Sequence, residues 1–356
     1  MTTLGRNRKA IPMSWVENKK ILCGVCGKGG VGKTTFTSSL GAALAAAGFT
    51  VLIIDPNEQG NISQDLGIHQ AVDADGLPAF TDKGIPIHGD GGDALATAIV
   101  NGAPLNPIPV PDRDNLFLCV GGPAISRVKR TMASVGENEA PTLLAISLSQ
   151  VADQFDYVLI DSPPEDEEMM KLVMAASRWV VCPTKTDSSS VLGLTAVAAT
   201  YNIIREDYNP YLELLGSFIF GTSMSDEGKP FKERRDVQQQ IMGGEGIACP
   251  HGIPFVEKVA ISIRDYGLPV TELEQQAIRE GWPLSEINSI SRVARAWLRV
   301  ISFFRYELDC RVAGHAPGAV DHIELEMDEE GKNVKAITPV YAAHLTGDTA
   351  AEEVSA

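Results

Sequence analysis

Short runs of consecutive apolar residues recur along the chain and predict β-strands that are buried on both faces. Six such runs are found, at residues 19–27, 49–55, 114–122, 155–164, 178–184 and 212–222. Between and after them, small and apolar residues follow helical spacing, at residues 34–48, 140–154, 167–177, 191–206 and 289–308. The alternation of strand and helix implies right-handed βαβ units, and therefore an α/β domain with a doubly wound, mostly parallel sheet across residues 21–308.

Three segments fall outside this alternation. Residues 1–20 form a basic N-terminal extension, and residues 69–93 are rich in Gly, Asp and Pro, which indicates a surface excursion. A calcium loop is an alternative for the excursion, although its ligand spacing does not fit an EF-hand. In the acidic tail, residues 309–356, alternating apolar and charged positions flank a DEEGK turn. They predict a β-hairpin at about residues 321–341, ahead of a disordered end.

The overall composition is that of a globular protein with ample core, since 44% of the 356 residues are hydrophobic and 21% are charged. Neither a membrane-spanning run of about 18 apolar residues nor the apolar stretch of a secretory signal is present. We therefore expect a cytoplasmic protein. The net charge of −16 disfavours nonspecific nucleic-acid binding by the molecule as a whole, but it leaves room for a local basic face.

The six cysteines are expected to be buried thiols rather than a disulfide framework. They are Cys23, Cys26, Cys119, Cys182, Cys249 and Cys310. Cys23 and Cys26 form a CxxC pair, but they lie in a predicted strand and no second CxxC completes a metal site. Packing is therefore the preferred interpretation, with a redox or metal role as the alternative. The pair Cys249 and His251 is isolated and indicates no site on its own.

The segment GKGGVGKT, Gly27–Thr34, fits the P-loop pattern G-x-x-x-x-G-K-[ST] completely and lies between a predicted strand and a predicted helix. In such a loop, backbone N–H groups turn inward around phosphate oxygens, and the helix N-terminus adds positive potential. Lys33 is expected to reach the β- and γ-phosphates and the Thr34 hydroxyl to ligate Mg²⁺. The predicted nucleotide-binding set is Gly27, Gly29, Gly30, Val31, Gly32, Lys33, Thr34 and Thr35.

Two aspartates end neighbouring buried strands. Asp161 closes the run YVLID, and Asp55 closes the run VLIID. Because the carboxyl ends of parallel strands meet at one edge of a sheet, both carboxylates are expected beside the P-loop, where they would support Mg²⁺. A helix cap or a turn is the alternative role for each.

An ordinary P-loop does not need Lys28, and with it the loop reads KGGVGKTT. This loop resembles that of the ParA/MinD family of deviant Walker A ATPases. The segments VLIIDPNEQGNIS (51–63) and FDYVLIDSPP (155–164) also resemble it, and residues 253–270 do so more loosely. The resemblance covers about residues 20–305. It implies ATP and Mg²⁺ as ligands, ATP hydrolysis, and a homodimer that closes on ATP, in which Lys28 reaches the phosphates of the partner subunit.

The sequence departs from the family at the position that orients the attacking water. In the family's D-x-D-P-Q-G-N segment the first Asp is Asp55, but the second falls on Asn57 and the proline on Glu58. An amide can hydrogen-bond a water but cannot take its proton, and loss of a general base costs about 10²–10⁴ in rate. We therefore expect slow or partner-dependent hydrolysis, with Glu58 as a substitute base if the loop shifts. A scaffold that binds nucleotide without turnover is the alternative.

The resemblance also indicates where adenine binds. The segment VVCPTKTDSSSVLGL, residues 180–194, resembles the stretch whose proline borders the base in the family. This points to Pro183 and Thr184, and Thr222 at the end of the following strand is a weaker candidate.

What the ATP-bound dimer holds differs among family members. MinD-type proteins end in a basic amphipathic helix that lies on membrane, whereas the tail here is acidic, so no membrane binding is expected. ParA-type proteins bind double-stranded DNA nonspecifically, and a partner protein stimulates their hydrolysis. The resemblance therefore implies plasmid or chromosome partition, or cargo positioning, with an association with the nucleoid. A cluster-carrier ATPase is a further alternative, but it requires paired cysteines at the dimer face.

Two groups of basic residues are candidates for DNA contact. One has helical spacing and consists of Arg292, Arg295 and Arg299. The other consists of Lys229, Lys232, Arg234 and Arg235. An ordinary solvated face is the alternative for each group.

Overall fold

One eight-stranded sheet organises the chain in the computed structural model, which describes residues 12–73, 75–82, 84–136, 138–185, 188–222, 229–242, 247–329 and 334–342. Its strands are β1 (Ile21–Gly24), β2 (Val51–Ile54), β3 (Ile108–Pro109), β4 (Leu116–Cys119), β5 (Tyr157–Asp161), β6 (Trp179–Thr184), β7 (Glu213–Thr222) and β8 (Ala248–Pro254). Their order across the sheet is β3-β4-β2-β5-β1-β6-β7-β8. All neighbouring strands run parallel except β3 against β4.

Helices cover both faces of this sheet. They are α1 (Lys33–Ala46), α2 (Asn61–Asp65), α3 (Asp93–Asn101), α4 (Ser126–Val135), α5 (Leu143–Leu148), α6 (Glu167–Ala175), α7 (Ser188–Asp207), α8 (Lys229–Met242), α9 (Glu257–Tyr266), α10 (Val270–Arg279) and α11 (Leu284–Val312). Side chains of α1, α9, α10 and α11 form one hydrophobic core, and those of α3 to α7 form the other. The predicted doubly wound α/β fold is confirmed.

The placement of β1 creates the ligand crevice. β1 pairs with β5 on one side and with β6 on the other, and all four of its residues are buried. The chain leaves β1 toward β2 on one side and later reaches β6 and β7 on the other. Ligands of open α/β sheets bind at such a switch point, outside the carboxyl ends of the strands.

The predicted helix at residues 140–154 is shorter than expected. The structure has a 3₁₀ turn at Ala140–Thr142, helix α5, and a second 3₁₀ turn at Ala152–Gln154. Two serine hydroxyls at this point bond to backbone carbonyls, Ser147 to Ala98 and Ser149 to Ile146. The local bond of Ser149 competes with continuation of the helix, whereas the bond of Ser147 joins α5 to α3.

The chain on either side of the sheet domain packs against it. In the N-terminal extension, residues 1–11 lie outside the described residues, while Val16 is fully buried in the core. The predicted C-terminal hairpin is present as β9 (Val320–Met327) antiparallel to β10 (Val334–Tyr341). Residues 343–356, which include the predicted disordered end, are outside the described part of the chain.

Two buried groups fasten the hairpin to the domain. The carboxylate of Glu307, on α11, accepts hydrogen bonds from the N–H groups of Gly318 (2.8 Å) and Val320 (3.0 Å). His251, on β8, accepts a bond at Nε2 from the N–H of Ile323 (2.9 Å). The tail is therefore an integral part of the folded protein up to at least β9.

Candidate nucleotide-binding site

The segment between β1 and α1 has the conformation of a phosphate-binding loop. Gly30 and Gly32 both adopt positive φ, at 66° and 82°, a region that side-chain-bearing residues rarely enter. A β-carbon at Gly32 would also lie 2.8 Å from the ring of Phe220. Helix α1 starts directly after Gly32, so its free N–H groups and its positive end face the crevice.

Lys33 and Thr34, the first residues of α1, lie where the P-loop pattern predicts phosphate and Mg²⁺ contacts. Lys33 is buried, and its Nζ donates to the carbonyl oxygen of Lys28 across the loop (3.1 Å). The Thr34 hydroxyl donates to Oδ2 of Asp161 (2.7 Å). The structure thus brings together the threonine and the strand-end aspartate that the sequence places 127 positions apart.

Two carboxylates are completely buried at this edge of the sheet. Asp55 and Asp161 both have 0% exposure, and within the described residues one oxygen of each, Oδ1, has no hydrogen-bond partner. Burial raises the pKa of Asp161 to about 6. Burial and the neighbouring charge of Asp161 raise the pKa of Asp55 well above its ordinary value. Unsatisfied carboxylate oxygens beside a threonine hydroxyl form a donor set that suits Mg²⁺, which would relieve the desolvation of both groups.

The oxygen of the Asn57 side chain is used to build the turn in which it lies. Asn57 is buried, and its Oδ1 accepts a hydrogen bond from the N–H of Gln59 (2.9 Å). Its neighbour Glu58 forms an ion pair with Nζ of Lys129 on α4 (2.7 Å), and the same ammonium pairs with Asp166 at the start of α6 (2.7 Å). Glu58, the substitute base that the sequence suggests, is therefore engaged by Lys129 in this conformation.

Sequence reasoning missed a third buried carboxylate near the loop, Asp65, at the end of α2. Its Oδ2 accepts a bond from the Ser38 hydroxyl (3.4 Å), and Nε of Arg264 on α9 lies 3.6 Å from its Oδ1. Burial raises the pKa of Asp65 to about 7, although the charge of Arg264 opposes the shift. No local sequence pattern indicates that Asp65 is buried, because its burial depends on the packing of α9 over α2.

The three residues predicted to border adenine, Pro183, Thr184 and Thr222, are all buried. Thr184 is buried, and its hydroxyl donates to the carbonyl of Phe218 (3.3 Å) and accepts from the amide of Gln238. Pro183 is also buried within β6, whereas the buried Thr222 hydroxyl has no partner among the described residues. A cavity of about 330 Å³ opens beside the P-loop instead. Its lining includes Thr35, Phe220, Pro254, Phe255, Val256 and Trp297.

Comparison with known proteins agrees with this geometry. A family model described as "AAA domain" (AAA_31) matches residues 19–214, which is more than half of the chain. The chromosome-partitioning ATPase Soj of Thermus thermophilus is 31% identical over 220 residues, 62% of this chain and 75% of Soj. The chain belongs to the ParA/MinD family of P-loop ATPases.

Other relatives extend the comparison. An uncharacterised protein of Mycobacterium tuberculosis (strain H37Rv) is 30% identical over 220 residues. That match covers 60% of this chain and 63% of the relative, so the chain spans less than two thirds of that protein's length. Among solved structures, the ATP complex of Cyanothece McdA superposes with a TM-score of 0.60 at 19% identity and covers 84% of this chain and 98% of McdA. This likeness shows the fold.

The basic residues considered for DNA contact lie on two helices of this ParA/MinD family member, α11 and α8. Arg292 is exposed on α11, and Arg295 and Arg299 are half-buried there. Lys232 is exposed on α8, whereas the side chain of Lys229 is outside the described set. Arg234 and Arg235, also on α8, are half-buried, and Arg235 lies 4.0 Å from Asp236.

Helix α11 contributes to the core that contains α1, whereas Ile241 of α8 packs against the other core. Within one subunit the two groups therefore do not form one continuous patch.

The cysteines are all buried, as expected for packing. Burial raises the pKa of the Cys23 thiol to about 12, which disfavours the thiolate that a metal or cluster would need. Across the described ranges, no cluster of three or more His, Cys, Asp or Glu residues has metal-binding geometry. Within the same part of the chain, no helix has both the length and the hydropathy needed to span a bilayer.

Proposed function

We propose that the protein is a ParA-type switch: it binds Mg²⁺ and ATP, closes into a homodimer, binds double-stranded DNA nonspecifically, and hydrolyses ATP slowly or on contact with a partner protein. The observation that carries this proposal is the bond between Thr34 and Asp161 beside the P-loop. It joins the two groups that hold Mg²⁺ in P-loop ATPases. The process served would be partition of a plasmid or chromosome, or positioning of another cargo, in the cytoplasm and on the nucleoid.

The cavity beside Thr35 is the best candidate for the nucleoside. Its walls are mainly apolar and aromatic, with Phe220, Phe255 and Trp297 among them. A purine ring is stabilised by such surfaces. The Thr184 hydroxyl already forms hydrogen bonds to Phe218 and Gln238 inside the protein. We therefore propose that the base contacts the cavity walls rather than Thr184.

Slow hydrolysis follows from the turn that contains Asn57. The amide cannot accept a proton, and its oxygen already accepts the N–H of Gln59. Positioning and charge still support phosphoryl transfer, with Lys33 and Mg²⁺ on the nucleotide and Lys28 reaching across the dimer. The rate would then depend on a partner that rearranges the turn.

We place DNA binding on a stripe of α11 that consists of Arg292, Arg295 and Arg299. Arg292 is exposed and Arg299 partly so, and a homodimer would present the stripe twice. Such binding to phosphates must weaken steeply as salt rises.

The test is steady-state ATP hydrolysis by the full-length protein, with and without double-stranded DNA, beside Asn57→Asp and Lys33→Ala. The proposal expects a low wild-type rate, a higher rate for Asn57→Asp, and no hydrolysis by Lys33→Ala. Size-exclusion chromatography with ATP or ADP reports the dimer. If wild type and Asn57→Asp turn over equally fast, the account of slow hydrolysis is wrong.

A second candidate function is a nucleotide-binding scaffold without turnover. The engagement of both Asn57 and Glu58 favours it. It predicts tight ATP binding with no phosphate release under any condition in wild type, and recovery of turnover in Asn57→Asp.

A further inference from the structure

Lys185, which the family pattern does not assign, lies against the P-loop. It follows directly after β6, whose inner neighbour is β1. A β-carbon placed on Gly30 would lie 3.6 Å from Nζ of Lys185, and one on Gly221, near the end of β7, would lie 4.0 Å from its Cε. The lysine side chain thus crosses from the end of β6 to the central glycines of the loop.

The charge around the loop indicates what this ammonium would bind. Lys33 lies beside the loop in the same subunit, with its Nζ on the carbonyl of Lys28. Lys28 is expected to serve the partner's nucleotide. The buried carboxyl groups Asp55 and Asp161 lie at the same edge, and a polyphosphate would bring negative charge there. An ammonium within reach of the backbone of Gly30 is therefore placed to bind a phosphate oxygen from the same subunit.

We propose that Lys185 is a second phosphate-binding lysine that acts on the nucleotide of its own subunit. This inference rests on the proposed nucleotide-binding function. It separates two roles: Lys33 and Lys185 hold the polyphosphate in one subunit, and Lys28 acts when two subunits meet. Lys185 would then contribute to ADP binding as well as to ATP binding, since its contact with the nucleotide of its own subunit does not need a dimer.

The experiment is isothermal titration of full-length protein with Mg-ADP and Mg-ATP. The variants are Lys185→Met, which keeps the length of the side chain, and Lys185→Arg, which keeps the charge. Lys171→Met is the matched control, because Lys171 pairs with Glu167 and Glu168 on the surface of α6. Thermal unfolding without nucleotide checks that every variant is folded.

We expect Lys185→Met to raise the Kd for both nucleotides by about tenfold or more, the scale of one hydrogen bond to a charged group. Lys185→Arg should recover most of the affinity, and Lys171→Met should match wild type. The salt dependence of the Kd should also become shallower in Lys185→Met, because one cation has been removed from the phosphate site.

Three results would overturn the inference in different ways. If wild type binds nucleotide and Lys185→Met binds it within about twofold as tightly, Lys185 has no phosphate role and the proposed function stands. If wild type itself binds neither nucleotide, both the proposed function and this inference are wrong. Lys185→Met could also lose affinity while its salt dependence stays unchanged and Lys185→Arg recovers nothing. Lys185 would then support the structure of the loop without binding phosphate.

Discussion

Replacing Asp65 with asparagine should change how the stability of the nucleotide-free protein depends on pH. The pKa of this carboxyl is raised from 3.8 to about 7, chiefly by burial. In the unfolded chain the carboxyl loses its proton near pH 4, but in the folded protein it keeps it until about pH 7. The folded state therefore binds more protons across this window, and stability falls as pH rises from about 4 to 7.

The size of the effect follows from the same values. At about 1.36 kcal/mol per pH unit, a pKa raised from 3.8 to about 7 corresponds to roughly 4 kcal/mol at most. Asparagine carries no charge, keeps an oxygen for the Ser38 hydroxyl, and gives up a partly exposed ion pair with Arg264 that is worth about 1 kcal/mol or less. Asp65→Asn should thus be more stable than wild type at pH 8, and the two should converge near pH 4.

The assay is denaturant unfolding between pH 4.5 and 8, in Mg²⁺-free and nucleotide-free buffer. Asp265→Asn is the matched control, because Asp265 is exposed on the same helix as Arg264. The control should follow wild type at every pH. If the difference in unfolding free energy between Asp65→Asn and wild type stays constant across this range, the assignment of the raised pKa to Asp65 is refuted.

Three further substitutions test other parts of the structure. Glu307→Ala leaves two amide donors of the hairpin unpaired and should lower the free energy of unfolding by about 2–4 kcal/mol. Limited proteolysis should then cut the hairpin first. An unchanged digest would contradict the role of Glu307 in holding the hairpin on the domain. Glu58→Gln should leave basal ATP hydrolysis within about twofold, because Glu58 is paired with Lys129; a fall of about 10² or more would make Glu58 the base. Arg292→Ala with Arg299→Ala should weaken DNA binding and lower its salt slope by about 2 per subunit, or about 4 for the dimer. Fluorescence anisotropy at several salt concentrations measures the slope, and an unchanged slope would remove α11 from the DNA interface.

The parts of the site that could be predicted are those fixed by short-range pattern. The P-loop is defined within eight residues, and buried strands are recognised from their apolar runs. The meeting of Thr34 with Asp161 followed from the rule that parallel strands end at one edge. These inferences needed no knowledge of how the helices pack.

The remaining contacts depend on packing between distant segments. Lys129 reaches Glu58 because α4 lies beside the turn after β2, and Arg264 reaches Asp65 because α9 lies over α2. Neither arrangement leaves a mark in the sequence near those residues. The internal hydrogen bond of Thr184 could not be predicted either, because its partner Gln238 lies on α8, 54 positions away.

The amino edge of the sheet, opposite the nucleotide crevice, holds both limits of the ATPase core together. Nζ of Lys20, just before β1, bonds to Asp309 near the end of α11 (2.7 Å) and to the hydroxyl of Tyr157 (3.1 Å). Two points of the chain separated by almost the whole core are thus neighbours in space. A substitution at this contact should leave the nucleotide crevice intact, since the crevice lies at the opposite edge of the sheet. The same edge is also the natural place to attach a fluorophore or a fusion partner without touching the phosphate site.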